Sequence, residues 1–164
     1  MPKPHVLVPE LVPSDLWGRS ASKMLGRRAS WIKHIRPDAI SQAQNRCELC
    51  GIKADPLICH DKWVYDKKKA MATLSRFEIH CRNCDSVTHI GRLAKVLGPE
   101  NAIPAAILHL CNVNKCDQQM AVKILKDALF LWEKRNKKKW KINVAPELLN
   151  RYPDLAELPN FKPS

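Results

Sequence analysis

The chain has 164 residues, 45% of them hydrophobic, which is enough for one ordinary domain with appendages but hardly for two independent domains. Lysine and arginine number 28 against 16 aspartate and glutamate, and the formal net charge of +12 is spread over the whole chain. This excess favours a polyanionic partner, and nucleic acid is the commonest one, although an anionic membrane surface or solubility alone would give the same charge. The sequence contains neither a run of about 18 apolar residues nor a signal-peptide pattern, so a membrane span is excluded and we expect a cytoplasmic protein.

Residues 1–45 are predicted to form an N-terminal arm followed by helices. Prolines fix backbone dihedrals and remove hydrogen-bond donors, so the four prolines at positions 2, 4, 9 and 13 predict an extended arm. A first helix is predicted from a cap at Ser14 to about Leu25, where Gly26 ends it. A second helical segment is predicted around Trp31 and Ile35.

Residues 46–97 change in pattern, and they are predicted to form two strands and a helix. Residues 56–64 and 73–80 are rich in branched and aromatic side chains, so they predict short strands, and the charged residues 65–72 predict the loop of a hairpin. After Cys81 the apolar residues recur at helical spacing until Gly98 and Pro99.

Residues 98–164 are predicted to form a helical unit and a tail. Helices are expected over residues 101–110 and 118–134, the second capped by Asp117. Its apolar stripe, from Met120 to Trp132, is typical of a packing surface. Four prolines within residues 142–164 predict a tail that docks on the body or frays.

The strongest local motif is a pair of cysteine knuckles. Cys47 and Cys50 are separated by two residues, and so are Cys81 and Cys84. This spacing lets both sulfurs of a knuckle reach one tetrahedral ion, and two knuckles complete a four-sulfur zinc site. Free cysteine also behaves as a small buried hydrophobe, but the repeated spacing favours structural zinc.

The remaining cysteines and histidines show weaker patterns. Cys111 and Cys116 lie near a predicted junction of two helices and are interpreted as buried thiols. His109 lies in an apolar helix and is interpreted as a core histidine, whereas His5 and His34 have no partner pattern.

A second group of candidate ligands lies between and just after the knuckles. The first strand carries Cys59, His60 and Asp61 in succession. If Cys84 opens a helix, Asp85 and His89 are four residues apart on one face, a spacing suited to gripping a metal ion. The same pair would also arise without a metal ion, if Asp85 only stabilised the helix dipole and His89 were an exposed histidine.

Taken together, the knuckles, the Cys59–His60–Asp61 strand and the Asp85–His89 helix resemble the zinc-knuckle branch of the HNH nucleases. The resemblance covers about residues 45–95. Flanking segments, namely residues 112–114 and 132–140, are similar to uncharacterised bacterial and phage HNH-like proteins.

This resemblance implies an α+β protein with a ββα-metal core on structural zinc. In that family a strand carries a metal ligand followed by a histidine general base, and a helix supplies two further ligands. Carried over, His60 is the base, Cys59 occupies the ligand slot, and Asp85 and His89 are helix ligands. A histidine base and one divalent ion (Mg, Mn, Ni or Zn) would deprotonate water and neutralise the leaving oxygen during phosphodiester hydrolysis.

The sequence departs from the family pattern at three positions. Cys59 stands where His or Asp is usual, so Asp61 could serve as a ligand with Asp85 and His89, or a softer metal could be used. Asp85 stands where His is usual, and an aspartate at this position is compatible with Mg or Mn. The family's middle Asn is missing from residues 74–80, leaving Ser75, Arg76 or Glu78 to orient the base, or leaving the protein inactive.

Basic residues near these motifs are candidates for phosphate contacts, although any one run could simply face solvent. Such contacts give affinity that depends strongly on salt and little on sequence. The candidates are Lys67, Lys68, Lys69, Arg76, Arg82, Lys137, Lys138 and Lys139.

The sequence therefore predicts a small metal-dependent DNA endonuclease. Two alternatives remain open. One is a catalytically silent zinc module that binds nucleic acid. The other is a zinc-stabilised adaptor that uses its long helix as a docking surface.

Overall fold

The computed structural model describes residues 6–163, so Pro2, Pro4 and His5 lie outside the described residues. The chain forms a small three-stranded sheet with helices on both faces, a mixed α+β architecture. The helices are α1 (Ala21–Leu25), α2 (Arg36–Gln42), α3 (Arg82–Thr88), α4 (Ile90–Leu97), α5 (Pro99–Asn114), α6 (Gln118–Asn136) and α7 (Pro146–Arg151). The strands are β1 (Ile58–Asp66), β2 (Met71–His80) and β3 (Lys141–Val144), and 3₁₀ turns cover Ser14–Leu16 and Pro153–Asn160. A π-helical turn covers Trp31–Ile35 and runs into α2, where the sequence predicts a second helical segment.

Strands β1 and β2 form an antiparallel hairpin whose register determines which side chains share a face. His60 pairs with Glu78 and Ile58 pairs with His80. Because successive side chains of a strand point to opposite faces, one face carries His60, Lys62, Glu78 and His80. We call this surface the histidine face. The opposite surface, the core face, carries Cys59, Asp61, Phe77 and Ile79.

The two faces are covered by different parts of the chain. On the core face, Phe77 packs edge-on against Trp31, with ring centroids 5.6 Å apart, and against Tyr152 at 6.0 Å. Strand β3 extends this layer by pairing in parallel with β2, from Met71 opposite Lys141 to Leu74 opposite Val144. On the histidine face, helix α3 brings Asp85 towards His60 and His80.

An N-terminal arm, residues 6–13, runs along the helices to the edge of the histidine face. The side chain of Asn114 at the end of α5 binds the backbone of Leu7 twice, accepting from Leu7 N at 2.9 Å and donating to Leu7 O at 2.8 Å. Further along, Glu10 N donates to Thr88 O at 2.8 Å. The described part of the arm is extended, as the prolines predicted.

Most of the predicted elements are confirmed, with differences at their boundaries. The hairpin strands and the two long C-terminal helices form, and Asp117 caps α6 by accepting from Met120 N at 2.8 Å. The predicted first helix is wrong in its start, because Gly18 adopts a positive φ of 75° and Ser20 provides the cap of α1. The predicted helix after Cys81 is divided at His89 into α3 and α4.

The tail docks on the body. Lys141–Val144 forms β3, and the rest of the tail forms α7 and the last 3₁₀ turn. The apolar stripe of α6 buries Ala121, Ile124, Leu125 and Ala128. Among residues 6–163, none of the helices combines the length and the apolar character needed to cross a membrane.

Candidate metal centres

The four knuckle cysteines converge at the end of the hairpin where β1 begins and β2 ends. The first knuckle is a tight turn in which Gly51, with a φ of 75°, donates from its N–H to Cys47 O at 2.8 Å. Glu48 N then donates to Ile79 O at 2.8 Å, which ties the turn to β2. The second knuckle follows β2 directly and opens α3. Two segments distant in sequence are therefore joined through the sheet.

The geometry of this four-cysteine cluster suits a tetrahedral ion. All four sulfurs lie within 4.8 Å of one another, and Cys50 Sγ is 3.7 Å from Cys81 Sγ. Zinc–sulfur bonds of about 2.3 Å at tetrahedral angles place sulfurs about 3.8 Å apart. Cys47, Cys81 and Cys84 are buried and Cys50 is exposed. The cluster could hold a structural metal ion such as zinc.

The electrostatics of the thiols point in the same direction. A hydrogen bond from Cys84 lowers the pKa of Cys47 to about 4, while burial and the neighbouring sulfurs raise the pKa of Cys50 to about 11. The pKa of Cys84 is also raised, by its hydrogen bond to Cys47 and by burial. Cys47 is thus favoured as a thiolate, and a bound cation would help to ionise Cys50 and Cys84.

His109 contacts this cluster, a role that its apolar surroundings in the sequence did not reveal. Its Nε2 lies 3.2 Å from Cys84 Sγ, which joins α5 to the second knuckle. Cys111 and Cys116 follow at the end of α5 and just after it. They are not among the cysteines that the described structure brings into the four-sulfur cluster.

A second group of candidate ligands lies on the histidine face. One ligand atom from each of His60, Asp85 and His89 lies within 4.8 Å of the other two. His60 Nδ1 is 3.1 Å from His89 Nε2, and this nitrogen is 3.6 Å from Asp85 Oδ1. We call this group the His–Asp–His cluster. Two imidazoles and a carboxylate form a donor set suited to Zn, Mn, Ni and related divalent ions.

Helix α3 connects the two clusters. Asp85 N donates to Cys81 O at 3.0 Å, and His89 N donates to Asp85 O at 2.9 Å, so one continuous series of backbone bonds runs from the knuckle to His89. Residues four apart on a helix share a face, as the sequence predicted for Asp85 and His89. Ordering the knuckle therefore also orders the backbone that carries these two side chains.

Buried charges surround the His–Asp–His cluster. His80 stacks on His60 with centroids 4.6 Å apart, and its ring nitrogens lie 3.7 Å from Asp85 Oδ1 and 3.9 Å from Glu78 Oε2. Burial alone lowers the pKa of His80, but the two carboxylates outweigh burial and raise it to about 9. Burial lowers the pKa of His89 to about 4, which keeps this imidazole neutral, the state that binds metals.

The cluster is open to solvent on one side. The side chains of His89, Glu10 and Lys62 are 21%, 24% and 33% exposed, whereas that of His80 is 1% exposed. Arg92, on the next turn after His89, is largely exposed and lies 3.9 Å from Asp85 Oδ2. A ligand would therefore approach past Lys62 and Arg92, two cations that the sequence did not single out.

Cys59 and Asp61, the other two proposed ligands, are not brought to the cluster. Both lie on the core face, and Asp61 Oδ2 accepts from Ala21 N at 2.8 Å at the start of α1. Burial raises the pKa of Cys59 to about 12, so it is a structural thiol. The physical reason is the period of two along a strand: the neighbours of His60 point away from it. This placement corrects the expectation that either residue is a ligand.

The predicted phosphate-contacting lysines adjoin one another. Lys67, Lys68 and Lys69 form the turn of the hairpin, and Lys138 Nζ donates to Lys67 O at 2.8 Å. Parallel pairing of β3 with β2 brings the segment after α6 to this turn, where Lys141 N donates to Ala70 O at 2.9 Å. We call this surface the lysine patch. Its exposed members are Lys67, Lys68, Lys69, Lys137, Lys138, Lys139 and Lys141.

The two predicted arginines differ in their availability. Arg76 lies 3.4 Å from carboxylate oxygens of both Glu48 and Glu78, which offset its charge. Arg82 is exposed at the first turn of α3. Arg82 is therefore the better placed of the two to meet a phosphate.

Nothing matches this chain in comparisons with protein-family models, curated proteins and solved structures, so the two centres are interpreted from their own geometry.

Proposed function

We propose that this protein is a divalent-metal-dependent endonuclease that hydrolyses DNA phosphodiester bonds on an HNH-like ββα-metal core held by structural zinc. The observation that carries the proposal is the convergence of His60, Asp85 and His89 in a partly open site on the helix that begins at the four-cysteine cluster. A zinc site that needs all four cysteines leaves no open position, so it suits a structural role. The His–Asp–His cluster offers three ligands and room for others.

We assign the His–Asp–His cluster as the binding site of the catalytic ion. A divalent ion there would supply positive charge to a phosphate and would lower the pKa of water. His60 Nδ1, His89 Nε2 and Asp85 Oδ1 are the atoms that face one another and would hold it. Arg92 lies at the open side, where it would attract and orient the phosphate, whereas Glu10 and Glu78 offset the charge of Lys62.

The geometry favours His60 as a metal ligand over His60 as the general base. Its Nε2 is engaged by Glu10 Oε2 at 3.3 Å, and its Nδ1 faces His89 Nε2. Only Nδ1 is therefore available, either to bind a metal ion or to act as a base. That nitrogen points to the other two candidate ligands. His60 is only 5% exposed, which leaves little room for an attacking water at this nitrogen.

The lysine patch supports nucleic acid as the partner. Seven exposed lysines meet at the turn of the hairpin whose first strand carries His60. From Lys67 to His60 the strand spans about 23 Å at roughly 3.3 Å per residue, the length of about seven base pairs of duplex. A duplex of that length could contact the patch and the His–Asp–His cluster together.

The variant His60→Ala tests the proposal against its closest alternatives. Zinc-loaded wild type should cleave plasmid or branched DNA with Mn²⁺, and the variant should lose both cleavage and Mn²⁺ affinity, with partial recovery at high Mn²⁺. If His60 were the base, cleavage would fall by about 10²–10⁴-fold with unchanged Mn²⁺ affinity. His34→Ala is the matched control, because His34 is exposed and belongs to neither cluster.

Two other results would overturn the nuclease assignment. Salt-dependent DNA binding without cleavage by any divalent ion on duplex, branched or single-stranded DNA would indicate the silent zinc module. Absence of both binding and cleavage would favour the adaptor, for which exposed Leu129 and Phe130 on α6 offer an apolar surface.

A further inference from the structure

Glu10, from the N-terminal arm, contacts the outer edge of the His–Asp–His cluster. Its Oε2 lies 3.3 Å from His60 Nε2, and its Oε1 pairs with Lys62 Nζ. The backbone of the arm is fixed on both sides of this contact, by Asn114 at Leu7 and by the Trp17 and Trp132 indoles, which both donate to Val12 O. The carboxylate is therefore held at His60 by contacts that do not involve the cluster.

The chemistry of this contact selects one tautomer of His60. An ionised carboxylate can only accept hydrogen bonds, so the proton of the neutral imidazole must lie on Nε2. The lone pair then lies on Nδ1, the nitrogen 3.1 Å from His89 Nε2. The pairing of Glu10 Oε1 with Lys62 Nζ favours the ionised carboxylate.

We propose that Glu10 is a positioning residue that holds His60 with its Nδ1 lone pair directed into the His–Asp–His cluster. This proposal rests on the metal-binding role assigned to that cluster above. A carboxylate on the outer nitrogen of a ligating histidine fixes the orientation of the ring and raises its basicity, and removing such a partner typically costs 10–100-fold in metal affinity. The arm thereby adds a supporting carboxylate to a site whose metal ligands all come from residues 60–89.

A purely structural salt bridge between Glu10 and Lys62 is the competing explanation, and three variants separate the two. Glu10→Ala removes both contacts. Glu10→Gln keeps an oxygen that can accept from His60 Nε2 but removes the charge. Lys62→Met keeps the contact of Glu10 with His60 and removes the ion pair. Glu157→Ala is a control, because this exposed carboxylate pairs with Arg28 instead.

The test measures Mn²⁺ binding to the zinc-loaded full chain by calorimetry and the His60 tautomer by ¹⁵N NMR of the imidazole. We expect the Nε2–H tautomer in the wild type and about 10–100-fold weaker Mn²⁺ binding in Glu10→Ala. Lys62→Met and Glu157→Ala should stay within about threefold of the wild type, well short of that loss, whereas Glu10→Gln, which lacks the charge and can also donate to His60, should fall between the wild type and Glu10→Ala.

Several results would overturn the proposal. They are wild-type Mn²⁺ affinity in Glu10→Ala, an Nδ1–H tautomer in the wild type, or a loss in Lys62→Met as large as that in Glu10→Ala. A wild type that binds no Mn²⁺ would also overturn it, together with the assigned metal site. A wild type that binds Mn²⁺ in the expected way and cleaves no nucleic acid would refute the nuclease and leave the role of Glu10 intact.

Discussion

Replacing Asp61 by asparagine tests whether this residue is a buried charge of the core face, as the structure places it, or a metal ligand. Asp61 is adjacent in sequence to His60, but its Oδ2 accepts from Ala21 N on the opposite side of the sheet. Burial raises its pKa from 3.8 to about 6, a shift that the hydrogen bond from Ala21 opposes only in part.

The pH dependence follows from the sign of this shift. A carboxyl whose pKa rises on folding contributes most to stability below its unfolded pKa, near 3.8, and that contribution is lost as the pH rises through about 6. At about 1.4 kcal/mol per pH unit, ionised Asp61 destabilises the fold by about 3 kcal/mol above pH 6. About half of this penalty is already present near pH 5, so it grows by about 1.4 kcal/mol between about pH 5 and pH 8.

Asparagine has nearly the same shape and keeps an oxygen that can accept from Ala21 N. In urea unfolding of the zinc-loaded proteins, the free energy of unfolding of Asp61→Asn relative to wild type should therefore rise by about 1.4 kcal/mol between about pH 5 and pH 8. The cost of burying the new amide shifts all values equally and leaves this slope unchanged. A difference that does not vary with pH would refute the buried carboxylate, and a loss of Mn²⁺ binding would return Asp61 to the ligand set.

The other two predictions concern zinc and DNA. Cys84→Ser should lose both the bound zinc and the cooperative thermal transition, since metal binding contributes folding free energy directly, whereas Cys59→Ser should retain one zinc per chain by elemental analysis. Retention of zinc by Cys84→Ser with an unchanged melt would contradict the four-sulfur site. Replacing Lys67, Lys68 and Lys69 by glutamine should lower the log–log salt slope of DNA binding by up to about three, and replacing Lys137, Lys138 and Lys139 should have a similar effect. Replacing Lys123 and Lys126, near the other end of α6, by glutamine should leave the slope unchanged. If every variant has the same slope as the wild type, the patch only faces solvent.

The parts of the fold that could be predicted from the sequence are those with a local signal. The knuckles, the hairpin strands and the caps of the helices depend on residues within a few positions of each other. The position of His89 relative to Asp85 also follows from a helical spacing of four. The period of two along β1 predicts that Cys59 and Asp61 point away from His60, whereas the resemblance to a nuclease family implies that they are ligands, and the structure agrees with the period.

The parts that could not be predicted depend on contacts between distant segments. Lys141–Val144 reads as part of a proline-containing tail, and it becomes a strand only because the edge of β2 is available to pair with it. Glu10 lies in an arm 50 residues before His60, and nothing in its local sequence connects the two. The adjacency of the two lysine clusters likewise results from the β2–β3 pairing and not from either run alone.

The composition of the histidine face is itself an argument that this surface binds a ligand. The core face of the same hairpin buries mainly apolar side chains, which is what stability alone requires. The histidine face buries His60, Glu78 and His80, and Asp85 of α3 lies beside them. Lys62 Nζ lies 3.2 Å from Glu78 Oε2, and His80 lies between Glu78 and Asp85, so the charges of this face balance one another. Within residues 6–163 neither ring nitrogen of His80 has a hydrogen-bond partner, and a buried polar group left unsatisfied costs about 1–3 kcal/mol. Apolar residues at these positions would pack at least as well without that cost. The imidazoles and carboxylates collected here are therefore better explained by ligand binding than by packing.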